Sequence, residues 1–455
     1  MLRRINTLCL SACLLFLTSC QTYYEKSLLF NHKFEQGDYE VARNYLSSEK
    51  KLQKNNSKVL YDLNYATASF FLDDTKSSIE YFASADQYIS DFSKNYAFEA
   101  LALISNPSVR PYEPEFYEAV MLHFYQALNY IKLNDMDEAI VECRRMNLEL
   151  QKLSDNFRKH DGKRYSRDAF GHYLMGIIYE ARKDYNNAFI AYRNALEIYR
   201  DDYNPMYGQP VPKALQYALV RSAYKTGLVA EGKKFEKELD IKYSSAASDN
   251  GRLVLFLLDG LSPVKTEKEI EFFRNSGIGY VNYVSSDGSM SIPIFLADMS
   301  SSERSALNDF KVMRLALPQY VNRTPDCTQS QLLINNKLYF PEAVEDIEQI
   351  AKQSLSDRHW SELGKSILRV ATKEVARRLA AEKNEYVGLL VNLAGAISEK
   401  ADTRSWMSLP GCIRLIDIEM PPGQYKVQYT ACQTTFSVDI LVEANRTAFS
   451  CFRAR

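Results

Sequence analysis

The chain has 455 residues, of which 46% are hydrophobic and 25% are charged, and its formal net charge at pH 7 is −1. This balance is typical of a globular protein of two or three domains. Near-neutral charge without long basic runs argues against general attraction to nucleic acid or to an anionic membrane.

The first residues have the pattern of an export signal. Arg3 and Arg4 precede a mostly apolar run, Ile5 to Leu17, which has the length of a signal-peptide core and is too short to span a bilayer. The run ends in Leu-Thr-Ser-Cys, which resembles a bacterial lipobox. The resemblance implies cleavage before Cys20, a diacylglyceryl group on its sulfur and an acyl chain such as palmitate on the new amine.

We therefore expect residues 1–19 to be a lipoprotein signal peptide and Cys20 to anchor the mature protein in the bacterial cell envelope. Gln21 follows Cys20 in place of the Asp that favours retention in the inner membrane of enteric bacteria. This points to the outer membrane, with the protein facing the periplasm. The alternative interpretation is an ordinary cysteine in a cleaved secretory signal.

A repeat pattern dominates residues 20–246. The clearest unit is Asp168 to Tyr199, DAFGHYLMGIIYEARKDYNNAFIAYRNALEIY. Five of its residues have the spacing of the 34-residue tetratricopeptide (TPR) pattern: Gly176, Tyr179, Ala188, Tyr192 and Ala195. Gly176 and Ala188 are expected where two helices cross closely, and Asp184 is expected to cap the second helix. A helical bundle with tyrosines in its core is the alternative for one such unit.

The same frame recurs more weakly upstream. It fits Ala127, Tyr130 and Ala139, and the turn GDYEVA after Phe34 repeats the turn of the best unit. Units that begin near 23, 59, 120, 169 and 211 favour a TPR-like α-solenoid with insertions over a plain bundle. Such an array has an extended concave face that suits a protein or peptide partner. Tyr173 and Glu180 are near the right phase to line that face.

The pattern changes after a small polar stretch, residues 244–250, which is typical of a linker. LVLFLLDG predicts a buried strand, GYVNYV and SIPIFLA predict a hairpin, and QLLINNKLYF predicts two short strands around Asn335-Asn336. Helical spacing runs from 341 to about 400, and four strands follow: IRLIDIEM, QYKVQYTA, TTFSVDILVE and RTAFSCF. We therefore expect residues 251–455 to form a smaller α+β domain with antiparallel strands, and the whole chain to be α+β.

The exported location permits disulfides. Cys432 and Cys451 lie in adjacent predicted strands, and a bridge between them would close a loop of about 20 residues and contribute roughly 3 kcal/mol. Cys412 is a competing partner. The sequence thus predicts a Cys432–Cys451 disulfide with one alternative.

Few residues suggest catalysis. Asp259 ends a predicted strand, but an aspartate in a turn before Gly260 is the simpler interpretation. GxSxG, GxGxxG and GxxxxGK[ST] motifs are missing, and five histidines without a CxxC pair argue against zinc. We expect no catalytic residue, no cofactor, no metal and no small-molecule substrate.

Six segments follow one another along the chain: ALNYIKLNDMDEAIVECRRMN, HYLMGIIYEARKDYNNAFIAYRNA, LFLLDGLSPVKTEK, GSMSIPIF, ADTRSWMSLP and MPPGQYKV. Together they resemble a family of uncharacterised bacterial lipoproteins with TPR-like N-terminal halves. The segments ADTRSW…LP and DGLSPVK are the most specific. The resemblance implies the architecture and brings no reaction or catalytic residue.

The first functional hypothesis is a non-enzymatic scaffold, anchored in the envelope through Cys20, that binds a protein through its repeats. The second is a binding module for cell-wall or exported polysaccharide that uses the C-terminal domain. The third is a hydrolase of unknown substrate. Aromatic residues along a C-terminal groove would favour the second, and a pocket with paired acids or a nucleophile beside a base would favour the third.

Overall fold

The computed structural model describes residues 23–53, 56–92, 110–157, 167–244, 249–276, 280–288, 290–295, 312–323, 331–357, 363, 367, 401–431 and 434–453. The signal peptide, Cys20 and the helices expected between 368 and 400 lie outside this range.

The described part of the N-terminal half contains five consecutive helix pairs. Their bounds are α1 Leu28–Glu35, α2 Tyr39–Ser48, α3 Lys58–Phe71, α4 Thr75–Phe92, α5 Phe116–Lys132, α6 Met136–Phe157, α7 Ala169–Ala181, α8 Tyr185–Ile198, α9 Lys213–Thr226 and α10 Val229–Leu239. The two helices of each pair contact each other, and each pair contacts the next. A TPR-like helical repeat array is therefore present, as the sequence predicts.

The turn inside each pair has a repeated conformation. One residue of each turn lies in the left-handed region, at φ of 56° to 84°: Gly37, Asp73, Asn134, Lys183 and Gly227. In three of the turns the next residue is an aspartate that accepts a hydrogen bond from a backbone N–H three residues on: Asp74, Asp135 and Asp184. These bonds satisfy N–H groups that a helix start leaves open. The predicted cap at Asp184 is confirmed, with a distance of 3.3 Å to the N–H of Asn187.

The second half is built from short strands. Their bounds are β1 Gly251–Asp259, β2 Val264–Ser276, β3 Tyr280–Ser285, β4 Ser291–Phe295, β5 Val312–Val321, β6 Gln331–Ile334, β7 Lys337–Tyr339, β8 Glu342–Asp346, β9 Cys412–Met420, β10 Gly423–Ala431, β11 Thr434–Val442 and β12 Thr447–Arg453. Among the described residues they form three sheets, with the strand orders β12-β1-β9-β8, β11-β10-β6-β7 and β4-β3-β2-β5. A helix over 347–357, α11, follows β8. The fold class is α+β, as predicted.

The strand pairing differs from the expectation in two places. All described pairs are antiparallel except β1 and β12, which run parallel. Residues 342–346 form a strand, although helical spacing was expected from 341. Glu342 pairs with Leu415 of β9, and this tertiary pairing outweighs the local helical pattern.

The sheet β12-β1-β9-β8, called the central sheet below, lies between two layers. Val254, Phe256 and Leu258 of β1 belong to one core cluster with residues of the helix pairs. The alternate residues, Leu253, Leu255 and Leu257, pack with the sheet β11-β10-β6-β7. A strand covered on both faces has a continuous apolar run. This explains LVLFLLD and means that the two halves share one hydrophobic core.

Of the predicted Cys432–Cys451 disulfide, the structure describes only Cys451. Cys451 lies on β12 of the central sheet with a free thiol. Cys432 lies outside the described residues, in the chain between β10 and β11, and these strands belong to another sheet. Although β12 follows β11 in the chain, it pairs with β1 and not with β11. The competing partner, Cys412, is also a free thiol.

Candidate functional site

The face of the array formed by the first helix of each pair is covered by the second half of the chain. Every one of these helices makes a polar contact with it: Asn31 Nδ2 to Met407 Sδ at 3.2 Å, Asn64 Oδ1 to Ser408 Oγ at 2.8 Å, Glu118 Oε1 to Trp406 N at 2.7 Å, Ile177 O to Arg252 Nη1 at 3.4 Å and Arg221 Nη2 to Asp417 Oδ2 at 3.4 Å. In a repeat array this face is the one expected to bind a partner. The expectation that it is open, with Tyr173 and Glu180 available, is wrong.

A buried ion network joins α7 and α9 to the central sheet. Arg221 of α9 donates to both carboxylate oxygens of Glu180, at 2.7 and 2.8 Å. Arg252 of β1 donates to both oxygens of Asp417 on β9, at 2.6 Å each, and lies 3.1 Å from Glu180. Tyr192 of α8 donates to Glu180 at 2.8 Å. Bidentate arginine–carboxylate contacts of this kind fix the orientation of the helices on the sheet.

The charges of this network are matched. Burial acts to raise the pKa of Glu180, but the positive charges of Arg221 and Arg252 outweigh it and hold that pKa well below its usual range. Glu180 is therefore ionised at neutral pH. The cleft beside the network is small, about 110 Å³, and is bordered by Lys225 and Glu419. The network is an internal clamp and leaves no room for a large substrate.

Replacing Glu180 with glutamine should reduce the acid sensitivity of folding. Its folded-state pKa lies below the unfolded value of about 4.3, so the stability it contributes is present above that value and is lost as the pH falls below it. The unfolding free energy of the wild type should exceed that of Glu180→Gln at pH 7. Urea titrations from pH 7 to pH 3 should show this difference shrinking as acid is added. A difference independent of pH would contradict the assignment.

The segment 401–410, ADTRSWMSLP, crosses the first helices without regular secondary structure, turns at 407–408 and is almost wholly buried. Trp406 is 1% exposed, its backbone N–H donates to Glu118, and its indole Nε1 donates to Ser408 Oγ at 2.8 Å. Arg404 donates to the backbone oxygens of Asn56 at 2.6 Å and Arg110 at 3.0 Å. The segment thus occupies the repeat face much as a bound peptide would.

The residues predicted to pack the repeats lie in or against the core. The buried ones are Gly176, Tyr179, Ala188, Tyr192, Ala195, Ala127 and Ala139, and Tyr130 is half-buried against the same cluster. A Cβ atom at position 176 would lie 2.4 Å from ring atoms of Tyr192. Glycine is therefore required there for close approach of α7 and α8.

Gly176→Ala should lower the free energy of unfolding by about 1–3 kcal/mol, because the added methyl group overpacks the crossing of α7 and α8. Gly232→Ala in α10 is the matched control, since an added Cβ atom there would lie 3.1 Å from ring atoms of Tyr224, a tight contact without the 2.4 Å overlap at position 176. Chemical denaturation of both variants measures the difference. Equal stability of the two would contradict the close crossing.

An open groove of about 700 Å³ lies on another side of the molecule, where the turns α3–α4 and α5–α6 face β12. Its apolar lining comes from both halves: Phe70, Leu128, Ile131, Met136, Phe256, Phe449 and Phe452. Asp73 and Lys132 form a salt bridge of 2.7 Å at its rim. We call this space the β12 groove.

The outer edge of β12 borders this groove. Among the described strands, β12 pairs with β1 on one side and has no neighbour on the other. Thr447 is opposite Arg252, and the Arg252 N–H donates to the carbonyl of Arg446 at 2.9 Å. In a parallel pair the bonded residues alternate, so the backbone groups of Thr447, Phe449 and Cys451 point away from β1. They form a row of donors and acceptors beside the β12 groove, whose lining is mixed polar and apolar.

Other predicted sites are structural. Arg414 Nε donates to Asp259 Oδ2 at 2.8 Å and the Tyr429 hydroxyl donates to Oδ1, so Asp259 joins β1 to β9 and β10. In the part of the chain that the structure describes, no group of three or more His, Cys, Asp and Glu residues is arranged to hold a metal ion. No described helix is long and apolar enough to cross a membrane.

Sequence reasoning missed the clamp residues Arg221, Arg252 and Asp417. A signal for two of them was present. Arg252 precedes the apolar run of a strand predicted to be buried, and Asp417 interrupts the apolar run IRLIDIEM. A charge in a buried strand requires an opposite charge nearby. No sequence pattern predicts the β12 groove, because its position depends on which strand lies at the edge of the central sheet.

No family model matches the chain, and no curated protein matches it. Among solved structures, the apo form of RapI is similar over 48% of this chain at 16% identity, with a TM-score of 0.35; the match covers 52% of RapI, about half its length. A protein named MamA is similar over 49% of this chain and 99% of its own, at 14% identity and a TM-score of 0.29. A putative kinesin light chain from Podosopora anserina with TPR-like repeats matches over 47% of this chain and 92% of its own, at 14% identity and a TM-score of 0.31.

Proposed function

We propose that this protein is a lipid-anchored lipoprotein of the bacterial envelope that binds a partner protein without catalysis. The anchor is Cys20, on the grounds of its position after a short apolar run and the Leu-Thr-Ser that precedes it. The proposed location is the periplasmic face of the outer membrane.

The observation that carries the binding function is the outer edge of β12 beside the β12 groove, which has no neighbouring strand among the described residues. An extended peptide can add a strand to such an edge, with affinity from main-chain hydrogen bonds and selectivity from alternate side chains in the groove. The proposed occupant is therefore an extended segment of a partner protein. This revises the hypothesis of binding through the first helices of the repeats, because those helices already hold the segment 401–410.

The lining of the groove favours a peptide over a polysaccharide. Its aromatic residues are phenylalanines, Phe70, Phe256, Phe449 and Phe452, which have no hydroxyl or N–H to bond a sugar. Phe449 and Phe452, both partly exposed on β12, offer apolar surface to the side chains of an added peptide strand. The polysaccharide hypothesis would need polar aromatic residues there.

The binding surface can be tested by photo-crosslinking in cells. A photoreactive amino acid replaces Thr447 at the free edge of β12 or, as a control, Leu338, which is 43% exposed on the edge strand β7 of another sheet. We expect a defined crosslinked partner at 447, with the crosslink mapping to one segment of it, and none at 338. Crosslinks at 338 but not at 447, or purified cell-wall glycan bound in place of a protein, would overturn the proposal.

Cys20→Ser should release the protein from the membrane fraction or leave it as uncleaved precursor. The reason is that only the thiol of Cys20 can form the thioether to the lipid, and one anchor with two or more acyl chains is required for stable attachment. Membrane fractionation and intact-mass measurement of the mature protein provide the readout. Normal processing and full membrane association in the serine variant would contradict the anchor.

A further inference from the structure

The outward side of α1 carries two large apolar side chains that the protein does not cover. Phe30 and Phe34 face inward and are at most 1% exposed, whereas Leu28 and Leu29 are 48% and 46% exposed. The N–H of Ser27 donates to the carbonyl of Tyr23 at 3.1 Å, and the N–H of Asn31 donates to that of Ser27 at 2.9 Å. These bonds join α1 to the one-turn helix Tyr23–Lys26 that precedes it, so the two leucines lie soon after the proposed anchor.

The covalent distance between this helix and Cys20 is short. Tyr23 is three positions after Cys20, which keeps their Cα atoms within about 11 Å of each other. Leu29 lies six residues further along a helical path, or about 9 Å at the usual rise per residue. Tyr23 is only 8% exposed and belongs to the core, so the chain beyond it is fixed to the folded body.

We propose that the exposed face of α1 formed by Leu28 and Leu29 lies in the interfacial layer of the bilayer that holds the Cys20 lipid. This inference rests on the lipid attachment proposed above. An acylated Cys20 sits at the surface of the hydrocarbon, and the headgroup layer above it is only roughly 5–8 Å deep. A tether of about 20 Å is long enough for α1 to lie in this layer, where the apolar surface of its exposed leucines leaves water.

The charges around these leucines have both signs. Glu25 and Lys26 precede them in the helical turn Tyr23–Lys26, and the Tyr45 hydroxyl, which donates to the carbonyl of Lys26 at 2.8 Å, holds the end of α2 beside this turn. The exposed face of α1 should therefore bind lipid mainly through its apolar side chains. Attraction to anionic lipid should be secondary. The first helix pair becomes the membrane-proximal end of the array, and the last pair, α9 and α10, becomes the distal end.

Bromolipid quenching tests this orientation on the full-length, lipid-modified protein. An environment-sensitive fluorescent amino acid replaces Leu29 or, as a matched control, Val229, which is 47% exposed at the start of α10. Each protein is reconstituted in phosphatidylcholine vesicles with and without bromine on the acyl chains. We expect quenching at position 29 to exceed that at position 229 at least threefold.

The outcomes separate the two proposals. Intact mass shows first whether Cys20 carries lipid. If it does and quenching is equal at positions 29 and 229, the docking of α1 is overturned while the lipid anchor stands. If the mature protein carries no lipid on Cys20 and does not associate with vesicles, the anchor itself is overturned, and the docking falls with it.

Discussion

Arg252→Met should lower the free energy of unfolding by about 3–5 kcal/mol, because it leaves the buried Asp417 with only the longer contacts to Arg221. Arg252 is 6% exposed and also contacts Glu180 and the hydroxyl of Tyr192. Removing one partner of a buried pair costs far more than the pair itself contributes. Urea denaturation of the purified protein measures the effect.

Two further variants make this prediction specific. Lys225→Met removes a contact at the half-exposed rim of the same network, 2.9 Å from Glu419, and should cost at most about 1 kcal/mol. Arg252→Met combined with Asp417→Leu should be more stable than Arg252→Met alone, since the orphaned charge is gone. An Arg252→Met variant as stable as Lys225→Met would contradict the clamp.

A fragment that ends at Asp249 should not fold by itself, although the sequence suggests an independent helical domain there. The core cluster of the helix pairs includes residues of β1, β8, β9 and the segment 401–410. Trp406 of that segment has its ring 5.8 Å from Phe82 and 5.9 Å from Tyr125. Without the second half these rings would face water, together with the apolar side of every first helix.

We expect the fragment to show no cooperative thermal transition and to aggregate. Co-expression with residues 249–455 as a separate chain is the control and should restore a folded complex, because the same surfaces can meet. Circular dichroism melting and size-exclusion chromatography provide the readout. A monomeric fragment with a sharp transition would show that the repeats fold alone.

The local patterns of the sequence predict much of the fold. Gly176 and Asp184 identify the crossing and the turn of the best repeat, since close approach and capping each require particular residue types. Asn335 and Asn336, both at positive φ, mark the tight turn between β6 and β7. The continuous apolar run of β1 correctly indicates a strand buried on both faces.

The long-range arrangement is not predicted by these patterns. The parallel pairing of β1 with β12 joins residues almost 200 positions apart and is set by the shared core. β2 is rich in Lys and Glu, so it lacks the apolar signal of a strand and is held by its neighbours β3 and β5. The repeat pattern also says nothing about what covers the first helices. The open inner face was therefore predicted wrongly, and the β12 groove was not predicted.

The closure of the repeat face by the chain itself is tested most directly by native-state hydrogen exchange on the full-length protein. If the two halves form one cooperative unit, the amides of α7 and of β1 should exchange with the same opening free energy, equal to that of global unfolding. Exchange in α7 at a much lower free energy than in β1 would mean that the helices open separately. That result would contradict a permanently closed repeat face. The face formed by the first helices would then be available to a partner protein.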